Sequence, residues 1–234
     1  MKLQQKKIDL SDNLSQILKQ LNEYQICKQL EQVDPGDSQY LDFLVNLLVS
    51  RKKSQEDFPN YIDGLIYEYI YKNDKNILCE KFKGGLLSLV SENDMYYQDL
   101  QELLINKNYL DADVLTQQKL KKLAKLQGRE WLYFTDIRKI PSSDLLIIDK
   151  LWRIHSLDKF GFSIQRTLWL SVNKDWNELW EKIGWKSKEH MSRYPNEFIW
   201  DINAPKGHLP LFNQLRGVHV LSELFNHVSW NINN

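Results

Sequence analysis

Apolar residues recur along this chain at three- and four-residue spacing and almost nowhere in strict alternation, the pattern of helices that each bury one stripe. Leu14, Ile17, Leu18 and Leu21 set the pattern, Pro35-Gly36 breaks it, and Leu41, Leu44, Val45 and Leu48 resume it before the polar run Ser50-Arg51-Lys52-Lys53. Tyr61, Leu65, Tyr69 and Ile70 give a third helix after Pro59, and Ile77 to Leu89 a less regular fourth, interrupted at Gly84-Gly85. No stripe of this size can bury itself, so residues 1–91 are expected to form a small antiparallel helical bundle, a packing or docking module.

Ser91-Glu92-Asn93-Asp94 is polar and free of periodicity, and marks the expected boundary with a second domain over residues 95–234. All eight tryptophans lie beyond it, from Trp131 to Trp230. Helical spacing persists in Leu100, Leu103 and Leu104, and again in Ala112, Leu115, Leu120 and Leu123. Ser143 is read as the N-cap of a helix to Ile154 with Leu145, Ile148 and Trp152 inside. Asp175 opens another, with Trp176, Leu179, Trp180 and Ile183 on one face and Gly184 at its end. Leu211 to Phe225 gives the last helical stretch, and strand signals are weak. The predicted fold class is all-α.

A length of 234 residues suits one large domain or two small ones. The 31 basic residues cancel the 31 acidic ones, so the overall phosphate-neutralising excess of a nucleic-acid binder is missing. Cys27 and Cys79 stand far apart and make no disulfide framework, zinc knuckle or haem-attachment motif, which fits a reducing compartment. No apolar signal core opens the chain and no run of about 18 apolar residues occurs, so the protein is expected to work where it is made. His155, His190, His208, His219 and His227 form no metal-ligand spacing, and no nucleophile elbow, phosphate loop or dinucleotide fingerprint occurs. No catalytic constellation is legible, and the chain is not expected to be an enzyme.

Aromatic residues in Trp131–Phe134, Phe160–Phe162, Trp185 and Phe198–Trp200 fall in or beside expected loops. A tryptophan on a helical stripe, such as Trp152, Trp176 or Trp180, is core. The segment Lys188 to Pro210 differs: it is long, holds Pro195, Pro205, Gly207 and Pro210, and carries Tyr194, Phe198 and Trp200. Long loops rich in apolar rings are uncommon in compact domains unless they bind something.

Several of these segments also carry a resemblance. Trp131-Leu132-Tyr133-Phe134-Thr135, then Asp144-Leu145 with Ile148 to Trp152, then Phe160-Gly161-Phe162-Ser163-Ile164-Gln165, are similar to the "genomes uncoupled four" family of tetrapyrrole-binding proteins. So are Ile183-Gly184-Trp185, Ala204 to Pro210 and Asn213 to Val218, in one order over about residues 97–230. The resemblance implies a largely helical domain shaped like a cupped hand, whose apolar palm holds protoporphyrin IX or its magnesium form. It implies no intrinsic cofactor and no metal site. Phe134, Phe198 and Asn213 are carried over as palm contacts, Tyr194 as an aromatic face where relatives can have Trp, and Arg216 as a carboxylate contact. Gln117 and His219 fall where some relatives carry Arg, which thins the basic rim.

The implied role is to bind the porphyrin and stimulate magnesium chelatase in chlorophyll biosynthesis through its large porphyrin-binding subunit. The implied protein is a monomer of the plastid stroma, or of the cytoplasm in a cyanobacterium; peripheral membrane association is left open. A porphyrin needs apolar walls and a cationic rim, and burying on the order of 300 Å² yields roughly 7–8 kcal/mol gross. An arginine fork suits a propionate, and Asn213 can offer its amide oxygen to porphyrin-bound magnesium. Two other readings stand beside this one: a helical interaction scaffold without pigment, and a haem or bilin sensor with His219 as axial ligand.

Overall fold

The computed structural model describes residues 38–54, 59–82, 85–87, 91, 95–126, 128–187, 190–212 and 218–231. They form ten α-helices, one 3-10 turn and a hairpin of two two-residue strands, an all-α chain. The chain divides into two compact units, Met1–Leu87 and Ser88–Asn234. The expected helix at Leu14–Leu21 and the break at Pro35-Gly36 lie outside the described residues.

In the first unit, α1 (Ser38–Ser54), α2 (Tyr61–Asn73) and α3 (Lys75–Lys81) pack on one another. Leu41, Leu44, Val45 and Leu48 all face inward, as their spacing requires, against Ile66, Tyr67 and Ile70. Asn60 caps α2 by accepting the Ile62 and Asp63 amides, while the Asp63 carboxylate reaches back to the Asn60 N–H at 2.8 Å. Arg51 at the end of α1 reaches the same buried carboxylate at 2.5 Å, so one acidic group joins a cap to a neighbouring helix. The expected helix Ile77–Leu89 is a correction: α3 ends at Lys81, where the Phe82 N–H closes on the Leu78 carbonyl, and Gly85 turns with φ +85°.

The second unit begins its helices with α4 (Gln98–Ile105) and α5 (Tyr109–Leu123), which pack together. After the one-turn α6 (Phe134–Ile137) comes α7 (Ser142–Ile154), whose Leu145, Ile148, Leu151 and Trp152 are buried. Trp152 stacks on Tyr109 at 5.9 Å and sends its indole N–H to Thr116 of α5 at 3.0 Å, so the largest apolar ring of this helix is also polar-satisfied. α7 starts one residue before Ser143, with Pro141 as its N-cap residue, whose side chain offers no acceptor for a cap.

α8 (Phe162–Ser171), α9 (Trp176–Lys182) and the hairpin β1 (Lys186–Ser187) and β2 (His190–Met191) follow. Asp175 caps α9 by accepting the Glu178 amide at 2.9 Å, and Gly184 ends the turn beyond it at φ +73°. The last helix, α10 (His219–Phe225), is shorter than the stretch read from Leu211. Leu211 and Phe212 are irregular, for a reason that belongs to the site.

Candidate functional site

The loop 192–212 is fastened from several directions by bonds between side chains and backbone. From α5, Asp113 accepts the Leu211 amide at 2.6 Å and Gln117 donates to the Leu211 carbonyl. Both polar backbone groups of Leu211 are thus satisfied by one helix face, which fixes it outside any helix. From α8, Gln165 donates to the carbonyls of Gly207 at 3.0 Å and Pro210 at 2.8 Å. The chain leading into α8 adds the Gly161 N–H on the Leu209 carbonyl and the Gly207 N–H on the Lys159 carbonyl, at 3.0 and 2.8 Å. The Phe160–Gln165 and Ala204–Pro210 segments are therefore one hydrogen-bonded assembly. Gly161 sits at φ +141°, and a Cβ there would lie 2.8 Å from the Asp149 carboxylate.

Aromatic rings connect this loop to α10 without a break. Phe225 of α10 touches Trp169 and Trp176 at 5.5 and 6.0 Å, and Trp176 touches Trp180 at 5.3 Å. Trp180 stacks on Trp185 at 5.3 Å, Trp185 meets Phe198 at 6.5 Å, and Trp200 lies 6.2 Å from Phe198 and 5.9 Å from Tyr194. Each spacing is that of offset or edge-to-face pairs, so the ladder stiffens a loop that has no regular backbone pattern.

Tyr194 ends the ladder and is 47% exposed, whereas Phe198 is 5% exposed, covered by Trp185, Trp200 and His208. The two expected palm residues on this loop thus share one ring cluster, and the outward apolar surface comes from Tyr194 and Ile199, which is 44% exposed. Phe160, Phe162 and Trp185, also met as loop aromatics, are fully buried core. Phe134, the first residue of α6, is 45% exposed beside half-exposed Tyr133, over whose ring Arg129 lies at 4.6 Å. α6 packs against α10, and Arg138 pairs with Glu223 across that contact at 2.6 Å. Asn213 and Arg216 lie outside the described residues.

Burial pushes the Asp113 carboxyl up to about 7, against the Leu211 N–H bond that favours its charged form. Tyr194 is raised too, first by burial and then by Asp113 and Asp111, so its hydroxyl faces the acidic start of α5. Gln117 has its amide engaged with the Leu211 carbonyl. His219 is exposed at the start of α10. Among the described residues, no group of three or more His, Cys, Asp or Glu is arranged to hold a metal ion.

Asp113 and Val114 were not singled out from the sequence, and Gln165 and Ile199 appeared there only within longer segments, with no role of their own. Asp113 had a signal: it shares a helical face with Thr116 and Leu120, and a carboxylate in a buried stripe requires a partner. The role of Gln165 had no local signal, since Gly207 and Pro210 lie 42 and 45 positions away, and the Ile199 amide meets His208 nine positions on only through the irregular turns of the loop.

A GUN4-like family model matches residues 90–228. A protein of Porphyra purpurea described as "Uncharacterized protein ycf53" is 48% identical over 219 residues, covering 89% of this chain and 92% of that protein. The "Tetrapyrrole-binding protein, chloroplastic" of Arabidopsis thaliana is 33% identical over 147 residues, covering 58% of this chain and 56% of that protein. The solved structure of GUN4 from Chlamydomonas reinhardtii superposes with a TM-score of 0.56 at 34% identity, covering 62% of this chain and 95% of that one. With the family model spanning more than half of its length and the helical fold shared, this chain belongs to the GUN4-like family.

Proposed function

We propose that this chain binds protoporphyrin IX and its magnesium form and stimulates magnesium chelatase, in a plastid or a cyanobacterial cell, without chemistry of its own. The observation that carries the reading is a group of exposed apolar side chains in the second unit, where Tyr96, Leu170 and Val228 are exposed as well. Tyr133 and Phe134 beside α6, Val114 on α5, and Tyr194 and Ile199 on the 192–212 loop are all at least 38% exposed. The segment around Trp131–Phe134 and the loop are those that the family resemblance assigns to a porphyrin palm, and Val114 of α5 is added to them by its exposure. Exposed rings on irregular but well-anchored segments are costly unless a flat apolar ligand covers them. The name of the Arabidopsis relative supports a tetrapyrrole as that ligand.

In this reading Phe134 and Tyr194 contact the macrocycle, Phe198 supports the loop from behind, Asn213 faces porphyrin-bound magnesium and Arg216 reads a propionate. The chain delivers porphyrin to the large porphyrin-binding subunit of the chelatase and keeps it out of water until then. Titration with metal-free, magnesium and iron porphyrins tests the binding step. Protoporphyrin and its magnesium form should quench tryptophan emission saturably, and Tyr194→Ala should weaken both by about 1–2 kcal/mol. Chelatase stimulation should fall in step with that affinity. Stimulation by a variant that binds no porphyrin would favour the scaffold reading.

A further inference from the structure

Resting on that reading, we infer that His208 is a positioning residue that holds the Phe198–Ile199 edge of the loop, and that its protonation lets this edge go. His208 is 1% exposed. Its Nδ1 lies 2.6 Å from the Ile183 carbonyl oxygen, at the end of α9, and its Nε2 lies 3.1 Å from the Ile199 N–H. The two partners fix the tautomer by their own chemistry. A carbonyl only accepts, so Nδ1 carries the hydrogen; an amide N–H only donates, so Nε2 is bare. The neutral ring therefore bridges α9 to the loop, with the Phe198 ring 5.6 Å away and the Trp185 indole donating to the His208 carbonyl at 2.7 Å. A Cβ on Gly184 would come 3.3 Å from Nδ1, so the glycine there leaves room for the ring in this position.

An imidazolium keeps the Ile183 bond but points a second N–H at the Ile199 N–H. Ile199 then loses its acceptor and the loop edge its tie to α9. Burial holds the ring below the ordinary imidazole range, while the Ile183 bond works in the opposite direction. The charged groups on the elements packed around it are Glu178, Glu181 and Lys182 of α9, Arg193, Glu197, Asp201 and Lys206 of the loop, and Lys159. Glu181 pairs with Lys186, Lys182 with Ser171, Glu197 accepts the Arg193 amide, Asp201 accepts the Asn203 amide, and Lys159 donates to the Ile202 carbonyl. Lys206 is exposed. For a lowered histidine the sign is fixed: stability is fully present above the ordinary value of 6.5 and is lost as pH falls from there through the folded value.

The test uses the full chain as wild type and as His208→Gln, whose side-chain oxygen can accept from Ile199 and does not titrate. Without ligand, the Ile199 amide resonance should shift as the His208 ring titrates in the wild type, and stay still in His208→Gln. With protoporphyrin IX, the wild-type Kd should rise by about tenfold as that ring charges, the loss of roughly one hydrogen bond, and by under about threefold in the variant. Asp113, His227 and the ligand carboxylates titrate in both proteins, so the difference isolates His208. An Ile199 amide indifferent to the ring's protonation, or parallel affinity curves for the two proteins, overturns the inference. If neither protein binds porphyrin at any pH, the functional reading fails, and the Ile199 resonance still decides the role of His208.

Discussion

The two units hold their irregular backbone by different means. In the first, the polar ties among the described residues are short in sequence: Asn60 and Asp63 cap α2, Asp74 caps α3, and Arg51 reaches Asp63, twelve positions on. In the second, side chains travel far to find backbone, as with Gln117 to Leu211, Gln165 to Gly207 and Pro210, and Arg166 to the Phe225 carbonyl at 2.7 Å. Local caps define where a helix starts. Long-range ties define where a loop stays, and a loop fixed in this way can present side chains to a ligand.

Because every tryptophan lies in the second unit, indole emission follows that unit alone while far-ultraviolet dichroism follows both. Gly161→Ala should have the largest effect, about 3 kcal/mol in the emission-detected urea transition, since its Cβ would displace Asp149 from Ser163. A loss below about 1 kcal/mol would mean that the Phe160–Gln165 assembly yields easily and is no rigid anchor. Asp63→Ala should cost the first unit about 2 kcal/mol, because it removes a cap and leaves Arg51 without its carboxylate. That loss should appear by dichroism and leave indole emission in place; emission that follows it would show the units to be energetically coupled.

The smallest effect is expected from Asp113→Asn. A folded carboxyl near 7, against an ordinary 3.8, contributes stability at low pH that is lost as pH rises through about 7. The amide keeps an acceptor for Leu211 without the buried charge. The variant should therefore gain on the wild type as pH rises from about 3.8 through about 7, with about 1 kcal/mol of that gain falling between pH 6 and pH 8. Equal differences at both values would show that Asp113 stays charged throughout.

Periodicity made the helices legible, and local chemistry made one boundary sharp: Asp175 and Gly184 bracket α9 where a cap and a left-handed residue are required. Where no such residues stand, the reading slipped. α3 stops at Lys81 although apolar residues continue, and Leu211, tied to α5 from 94 and 98 positions away, lies outside the helix read from it. Nothing near Leu211 in the chain announces that tie. The loop rings were legible as unusual, but their directions were not: Tyr194 points out while Phe198, four residues on, packs inward. Alternation within an irregular loop follows its turns, here Phe198 N–H to the Pro195 carbonyl and the Trp200 indole to that same carbonyl, and no period describes it.

The ladder of rings from Phe225 to Tyr194 also gives the second unit optical properties that no single indole has. Trp169, Trp176, Trp180 and Trp185 follow one another at 5.1–5.3 Å, and the planes of the last two differ by 13°. At such separations an excited indole passes its energy to its neighbour faster than it emits. Light absorbed near α10 can therefore leave from the loop, and a quencher seated against Tyr194 drains the emission of rings it never touches. The stacked pair mixes its transitions, so its near-ultraviolet dichroism is a coupled pair of bands of opposite sign. Replacing Trp185 shortens the row of stacked indoles, and the exchange of energy between the α9 rings and the loop then weakens.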